Sequence, residues 1–373
     1  MEYSFQLSDF HALRSDPNLA FPSRPVLVDE LSVHVLPDGL GLQIRGLAQP
    51  LIFRGRDAEK ALTYTISAAT GANTLDQIIE DAPADIPRTS VAKALTLVHM
   101  KGLLCEPTQS SSQAEKSRHL YWARHINLTG ANKYPSEVAQ KLQHSAVLMI
   151  ADGFYGRYVF ESLRAAEIGM IHFFPQRPDQ DFQLIPFDQK SHLWSPNQSE
   201  DFQTELLNCL KATADALDLI VVATRFASKP QLASLNQTAL SHGVPILFAN
   251  ETFEGYEVGP LVEPFASGCL QCKLMREVSA SDFPIEEELF QQALNAGSVT
   301  MPKAENVLTV SMLSSYLAIE VVKFLTRIAV PALLNAVMFH EHLSGSLTRH
   351  EFLRVPHCPH CASEMRAMDP SRL

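Results

Sequence analysis

The stretch IADGFYGRYV, residues 150–159, follows the apolar run 146–149 and precedes a helical pattern. A strand, a glycine-containing turn and a helix in this order begin the phosphate-binding part of nucleotide-binding α/β domains, where the usual spacing is G-x-G-x-x-G. Here Ala151 stands where the first glycine is expected, while Gly153 and Gly156 keep the other two positions. The stretch predicts a Rossmann-type fold and raises the question of whether its nucleotide site still functions.

The surrounding sequence supports this fold class, because apolar strands alternate with amphipathic helices, a pattern typical of a parallel α/β sheet. We predict strands at 146–150, 169–174, 218–223 and 245–250, and helices at 156–166, 203–216, 229–242 and 305–327. A final hairpin is predicted over 336–355, turning at Ser344-Gly345.

The N-terminal region has a different pattern. Extended runs within 25–56 flank the turn signal Pro37-Asp38-Gly39, and helical patterns follow at 57–69, 74–80 and 89–101. Three strands followed by three helices predict a small winged-helix domain. The polar, serine-rich stretch 106–119 reads as a linker. The predicted organisation is a winged-helix domain at 1–105, a linker and connecting helix at 106–145, and an α/β domain at 146–373.

Charge and composition argue against two classes of function, nucleic-acid binding and membrane insertion. The 373-residue chain is 46% hydrophobic and has a formal net charge of −11, which argues against nucleic-acid binding. A DNA-binding role for the helix at 89–101 stays as an alternative, although that helix has few basic residues. The N-terminus lacks a signal-peptide pattern, and Glu320, Lys323 and Arg327 interrupt the apolar stretch 313–330, which favours a buried helix over a membrane span. We therefore expect a cytoplasmic, reducing setting with no membrane partner.

In that setting paired cysteines favour metal binding over disulfides. Cys269 and Cys272 form one C-x-x-C pair, and Cys358 and Cys361 form another. Two such pairs supply the four thiolates of a closed, structural zinc site. A redox C-x-x-C and a mixed site that uses His357 or His360 are the alternatives. The other two cysteines, Cys105 and Cys209, lie in apolar settings typical of core thiols.

Together these segments carry a resemblance to known families. Residues 146–361 resemble the ThiF-like, ubiquitin-activating-enzyme-type fold, and residues 24–104 resemble the PqqD-like winged-helix element that recognises leader peptides. The first resemblance is carried by the glycine turn 151–156, LDLIVVAT (217–224), HGVPILFA (242–249), GPLVEPFASGCLQCK (259–273) and CPHC (358–361).

The two elements in this order resemble the ThiF-like partner proteins of azole- and azoline-modified peptide biosynthesis. The resemblance implies a non-catalytic chain that binds the leader of a ribosomal precursor peptide and presents it to a separate YcaO-family cyclodehydratase. It is compatible with a flavin dehydrogenase in the same complex and with a homodimer through the ThiF-like domain. A peptide-binding module that serves other modification chemistry is an open alternative.

Compared with adenylating members of this fold, several parts of the nucleotide site differ. Ala151 replaces a glycine, Phe173-Phe174 stand at the tip of the second strand where an acid is expected, and Thr224-Arg225 stand where the magnesium aspartate would align. Asp179 and Asp181 come later, in a proline-containing loop. We therefore expect no ATP binding, with Gly153 and Gly156 serving helix–sheet packing. The alternative is an ATP-dependent ThiF-like enzyme that adenylates a peptide C-terminus.

The resemblance also places a peptide groove between an edge strand and the last helix of the N-terminal domain. The predicted edge strand is Leu51, Ile52, Phe53 and Arg54. On the helix Lys93, Leu97 and Met100 form a second face, opposite an apolar core face of Val91, Ala94, Leu95 and Val98. The alternative is that Leu97 and Met100 pack on the ThiF-like domain. Trp194 is either a partner anchor or a loop residue that packs on its own domain.

Overall fold

The computed structural model describes residues 5–16, 19, 21–28, 31–46, 50–54, 56–107, 125, 129–132, 135–175, 191–193, 202–225, 228–252, 255–299 and 307–362. The chain divides into an N-terminal unit, residues 1–140 with 326–329, and a C-terminal unit, residues 141–325 with 330–373. The boundary falls within the segment predicted to connect the two domains.

The N-terminal unit contains a three-stranded antiparallel sheet with β3 between β2 and β4. Asp38 and Gly39 both have positive φ angles, 57° and 69°, which explains why an Asp-Gly pair makes the turn between β2 and β3. Leu42 and Ile44 on the central strand are fully buried. The strands are β1 (Val26–Leu27), β2 (Ser32–Leu36), β3 (Gly41–Arg45), β4 (Leu51–Phe53) and β5 (Leu104–Cys105), of which β1 pairs with β5.

The predicted helices of this unit are present with bounds shifted by one residue or so. They are α2 (Arg56–Ala68), α3 (Leu75–Glu80) and α4 (Arg88–Met100), preceded by α1 (Leu7–Ser15), which the sequence analysis did not predict. Phe10 of α1 is fully buried and belongs to the same apolar core as Val91, Leu95 and Val98 of α4. The core face predicted for α4 is thus confirmed.

The C-terminal unit is built on an eight-stranded sheet in the order β13-β12-β11-β10-β9-β6-β7-β8. Strands β6 to β10 are parallel, as predicted, and β10 to β13 pair antiparallel. The predicted hairpin is the β12–β13 pair. The strands are β6 (Ala146–Ala151), β7 (Met170–Pro175), β8 (Ser191–Leu193), β9 (Leu219–Arg225), β10 (Ile246–Glu251), β11 (Gly255–Val262), β12 (Ala336–Glu341) and β13 (Leu347–Glu351).

Helices cover this sheet. They are α5 (Pro135–His144), whose last turn enters the unit, α6 (Gly153–Ala165), α7 (Phe202–Thr213), α8 (Lys229–Ser241), α9 (Leu270–Ala280), α10 (Pro284–Asn295) and α11 (Val307–Thr326). Side chains alternate across strand faces. Leu148 and Ile150 of β6 pack with α7, α8 and α9 in one apolar core, whereas Ala151 lies on the opposite face, against α6.

Helix α11 is the apolar segment that the sequence analysis assigned to the interior. By length and composition alone it could cross a membrane, and half of its most apolar window is buried in the protein. Glu320 on this helix is fully buried, and its carboxylate accepts a hydrogen bond from the Ala332 N–H at 2.7 Å and pairs with Lys323 at 2.5 Å. This internal pairing explains how a carboxylate is tolerated in an apolar core.

Candidate functional site

The four cysteines of the two C-x-x-C pairs lie together in the core of the C-terminal unit. Cys269 caps the N-terminus of α9, Cys272 lies in its first turn, and Cys358 and Cys361 follow β13. Their sulfur atoms all lie within 4.8 Å of one another, and each side chain is at most 1% exposed. The two pairs, separated by 85 residues of sequence, therefore meet at one point, as predicted.

The spacing of the sulfurs suits a tetrahedral metal ion. Three Sγ–Sγ distances are 3.9 Å (Cys269–Cys272), 3.6 Å (Cys269–Cys358) and 3.5 Å (Cys272–Cys361). Zinc–sulfur bonds of about 2.3 Å place tetrahedral ligands about 3.8 Å apart. A disulfide requires about 2.05 Å. The cluster could hold a metal such as zinc, and with four protein ligands it has no open position for a catalytic water.

Hydrogen bonds from neighbouring residues hold the cysteine cluster and the start of α9 in place. The Val355 N–H donates to the Cys272 sulfur at 3.4 Å, and hydrogen bonding with Cys269 lowers the pKa of the Cys272 thiol. Asn236 accepts a hydrogen bond from the Leu270 N–H at 3.1 Å and contacts His360 Nδ1 at 3.2 Å. In the described part of the chain no histidine nitrogen joins the four sulfurs, so the geometry favours the all-cysteine set over the mixed one.

Residues 151–156 form the predicted strand–turn–helix connection. The N-terminus of this helix, however, differs from the helix N-terminus of a phosphate site. Asp152 is the N-cap of α6, and its side-chain carboxylate accepts the Tyr155 N–H at 3.1 Å. Asp152 is 8% exposed. Phosphate sites on this fold use such free N–H groups at a helix N-terminus. Here a carboxylate of the protein itself binds one of them.

Gly156 is constrained by packing. A Cβ atom there would lie 3.0 Å from the Ala151 Cβ and 3.0 Å from the Phe173 ring. This close approach of α6 to β6 and β7 gives Gly156 a reason to be glycine without a ligand. Gly153 begins the helix, and its backbone is helical.

The tips of the neighbouring strands carry the predicted side chains. Phe173 and Phe174 are at most 1% exposed at the end of β7. Thr224, fully buried at the end of β9, donates its hydroxyl to Asn250 Oδ1 at 3.4 Å. Asp179, Asp181 and Trp194 lie outside the described residues, as does the side chain of Arg225.

An acidic, aromatic group that the sequence analysis missed lies near this turn. Burial raises the pKa of Tyr155 well above its ordinary value, and Tyr256, Glu251 and Asp152 raise it further. Glu251, 6% exposed, ends β10, and the Tyr155 and Tyr256 rings lie 5.7 Å apart. Two buried acidic residues, Asp152 and Glu251, therefore lie close to Tyr155 in the first turn of α6. The one sequence signal for this group is the acidic residue at the end of FANE, residues 248–251 in β10.

In the N-terminal unit, β4 pairs only with β3 among the described residues, which leaves its other edge open. Ile52 and Arg54 are exposed and Leu51 and Phe53 are half-buried. On α4, Lys93, Leu97 and Met100 are exposed, Met100 to 62%. Cys209 is buried in the apolar core of the C-terminal unit, as predicted, whereas Cys105 is only half-buried.

Known structures share this architecture. Escherichia coli MccB in complex with ATP matches with a TM-score of 0.63 and 16% identity over 90% of this chain and 99% of that one. MccB with AMPCPP and MccA matches with a TM-score of 0.65, 16% identity and coverage of 91% and 99%. The heterocyclase TruD matches with a TM-score of 0.62 and 18% identity over 91% of this chain and 43% of the TruD chain. No family profile and no curated protein sequence matches.

The likeness is one of fold. The C-terminal unit has the mostly parallel, Rossmann-type α/β sheet that the sequence predicted, and the chain shares its fold with MccB over nine-tenths of its length.

Proposed function

We propose that this chain is a non-catalytic partner that binds the leader of a ribosomal precursor peptide and presents it to a separate YcaO-type cyclodehydratase, which forms thiazoline or oxazoline rings. The fold shared with the heterocyclase TruD and with MccB, whose structures include complexes with MccA, supports a role in peptide modification. In this proposal the N-terminal unit is a PqqD-like element and the cysteine cluster holds a structural zinc ion.

The observation that carries the proposal is the edge of β4 that pairs with no other strand in the described part of the chain. An unpaired strand edge binds an extended peptide by adding it as a further strand, so that main-chain hydrogen bonds supply affinity and side-chain pockets supply selectivity. Ile52, 51% exposed, points to the solvent face of the sheet, while Leu51 and Phe53 share the core face with the buried residues Ile44 and Leu42.

Helix α4 supplies the proposed second wall. The core face of α4 is buried within the N-terminal unit. Leu97 and Met100 lie on another face of the helix, which is exposed in that unit. Apolar side chains of a leader would be buried there. Lys93 on the same face suits an acidic residue of the leader.

The C-terminal unit would position the substrate without chemistry of its own. Asp152 caps the α6 N-terminus, Gly156 is needed for packing, and Glu251 adds a second buried carboxylate nearby. Tethering a substrate raises its effective concentration at the partner enzyme, which accelerates a reaction with no added catalytic group.

The test is fluorescence anisotropy with a labelled leader from the precursor gene nearest to the gene for this chain. We expect saturable binding by the parent protein and its loss in Ile52→Pro or Phe53→Pro, with only moderate weakening by alanine at either position. Proline removes an N–H donor and fixes φ, and since N–H groups alternate between the two edges of a strand, one of the two prolines should act selectively. If all variants that circular dichroism shows to be folded bind like the parent, the peptide docks elsewhere.

An ATP-dependent adenylating enzyme is the second candidate, because the chain covers 99% of MccB as seen with ATP. Such an enzyme would activate a peptide C-terminus and release pyrophosphate. Pyrophosphate release by the isolated protein with candidate precursor and Mg-ATP would favour this candidate.

A further inference from the structure

Strand β13 forms one end of the eight-stranded sheet and pairs with β12 alone in the described part of the chain. All of its residues, Leu347–Glu351, are exposed. An exposed edge strand carries unused main-chain N–H and C=O groups, which can pair with a strand of another chain. The β13 edge is therefore a candidate interaction surface.

The ladder with β12 determines which main-chain groups of β13 are unused. Just beyond β13 the Phe352 N–H donates to the Asn335 carbonyl at 2.9 Å, so the even-numbered residues of this segment bond to β12. Hydrogen-bonding groups alternate between the two sides of a strand. The main-chain groups that point to the open side therefore belong to the odd-numbered residues, Leu347, Arg349 and Glu351.

The charged side chains of β13 limit which strand can pair there. Charges on an edge strand commonly prevent pairing with other chains. Arg349 and Glu351 lie two residues apart on the same face and form an ion pair, yet their side chains stay 40% and 71% exposed. A matching strand would place an acid opposite Arg349 and a base opposite Glu351. In antiparallel orientation, β13 of a second copy of this chain does so.

Two antiparallel registers place a two-fold axis near the middle of β13. With the axis at Arg349, the two copies of this arginine lie opposite each other and repel. With the axis at His350, Arg349 of each copy lies opposite Glu351 of the other, and symmetry makes this pair twice. The same register brings Leu347, 52% exposed, opposite Leu353, 75% exposed. Charge complementarity thus selects the axis at His350.

Helix α11 adds apolar surface on the face that carries these ion pairs. Arg349 Nε donates to the Ala332 carbonyl at 2.8 Å, and the Ala332 N–H donates to Glu320 of α11 at 2.7 Å. On the same helix Met312 and Ile319 are 47% and 49% exposed. A two-fold axis normal to the sheet places both copies of α11 on one face, where a second copy can cover these side chains and remove them from water.

We propose that β13 pairs antiparallel with β13 of a second copy of this chain, about a two-fold axis at His350, so that two eight-stranded sheets join into one continuous sheet. Two Arg349–Glu351 pairs and two Leu347–Leu353 contacts link the copies. The interface uses the same surface of both chains, so it closes at a dimer. The proposal depends neither on leader binding at β4 nor on the chemistry of a partner enzyme.

The first experiment follows the mass of the full chain by sedimentation velocity over a wide range of protein concentration. We expect a monomer–dimer equilibrium. Arg349→Glu places like charges opposite each other at both pairs and should weaken the dimer by about tenfold or more. Adding Glu351→Arg to this variant restores opposite charges in the proposed register and should recover most of the affinity. With the axis at position 349, the double variant would still oppose two glutamates and would not recover.

A cysteine at the axis provides a measurement that does not depend on charge. His350 of the two copies would lie directly opposite, with Cβ atoms about 4.5–5.5 Å apart, near the separation that a disulfide spans. His350→Cys should therefore form a covalent dimer on mild oxidation, seen on a non-reducing gel. Thr348→Cys, on the same face of β13, would lie opposite Phe352 and should stay monomeric on that gel.

The contribution of α11 is measured with a matched pair of variants. Met312→Glu should weaken the dimer several-fold, because it would bury a carboxylate between the copies. Leu289→Glu makes the same kind of change at an exposed residue of α10 and should dimerise like the parent. Equal dimerisation of the two variants would remove α11 from the interface.

A parent protein that stays monomeric at every concentration, or an Arg349→Glu variant that dimerises like the parent, would overturn the proposal. A double charge variant that fails to recover, together with no covalent dimer of His350→Cys, would reject the register. Ile52→Pro should dimerise like the parent, which separates a failure here from a failure of leader binding.

Discussion

The cysteine cluster and the glycine turn belong to the same C-terminal unit, yet one keeps its site geometry and the other does not. At the cluster all four sulfurs converge within 4.8 Å, with spacings that suit a tetrahedral ion. At the turn, the helix N-terminus is capped by Asp152 and the approach is lined by buried carboxylates and aromatic rings.

The difference shows that fold and chemistry depend on different residues. A metal that ties the hairpin region to α9 contributes to folding itself, because binding and folding are coupled at structural zinc sites. A phosphate site contributes little to folding, so its residues can be replaced by others that pack as well. Gly156 illustrates this, since packing alone explains its lack of a side chain.

The largest effect is expected at the cluster. Cys272→Ser should reduce the zinc content from about one ion per chain to a small fraction and expose the β12–β13 region to proteolysis, since a hydroxyl is a poor zinc ligand. Metal analysis and limited proteolysis measure both effects. Cys105→Ser, a half-buried thiol outside the cluster, is the control and should retain zinc. A parent protein without zinc whose four clustered thiols all react would contradict the zinc assignment.

At the turn, Gly156→Val should destabilise the fold by about 1–3 kcal/mol, because the added methyl groups would meet Ala151 and the Phe173 ring. Urea denaturation measures the change in the free energy of unfolding. Glu161→Val, exposed on the same helix, is the control. Equal destabilisation by both variants would remove the packing explanation for this glycine.

In the N-terminal unit, Leu97→Glu should weaken leader binding by about tenfold, because it would bury an unpaired carboxylate against apolar side chains of the peptide. Leu97→Met preserves volume and should bind like the parent. Anisotropy with the labelled leader compares the two. A glutamate variant with unchanged affinity would show that α4 does not line the groove.

The smallest effect concerns the cap of α6. Asp152→Ala should cost about 1 kcal/mol of stability, while Asp152→Asn should cost only a few tenths because asparagine caps a helix as well as aspartate. Thermal unfolding of the three proteins measures this. If alanine and asparagine were equally harmful, charge at this position, and not the cap, would stabilise the protein.

Much of this fold was visible in the sequence because its signals are local. The β6–α6 and β9–α8–β10 segments have the apolar periods of strands and helices, and α4 was predicted to within one residue. Helices α9 and α10 were missed, since α9 begins at a metal-ligand motif and α10 buries no residue and so lacks a clear apolar face.

The metal cluster and the group around Tyr155 also differ in how far the sequence could predict them. The metal cluster was predictable because two identical spacings supply a complete ligand set. The proximity of Tyr155 to Tyr256 and Glu251 was not, because Glu251 and Tyr256 are paired across β10 and β11 whereas Tyr155 comes from α6, about a hundred residues earlier in the sequence.

Isothermal titration of Mg-ATP into the purified chain tests the central proposal, that this chain does not bind ATP at the α6 N-terminus. MccB, whose fold is shared and whose structure includes ATP, serves as the positive control under the same conditions. We predict no saturable heat for this chain beside clear binding by MccB. Saturable binding that is lost in Gly153→Trp would contradict the account and make the adenylating enzyme the better description.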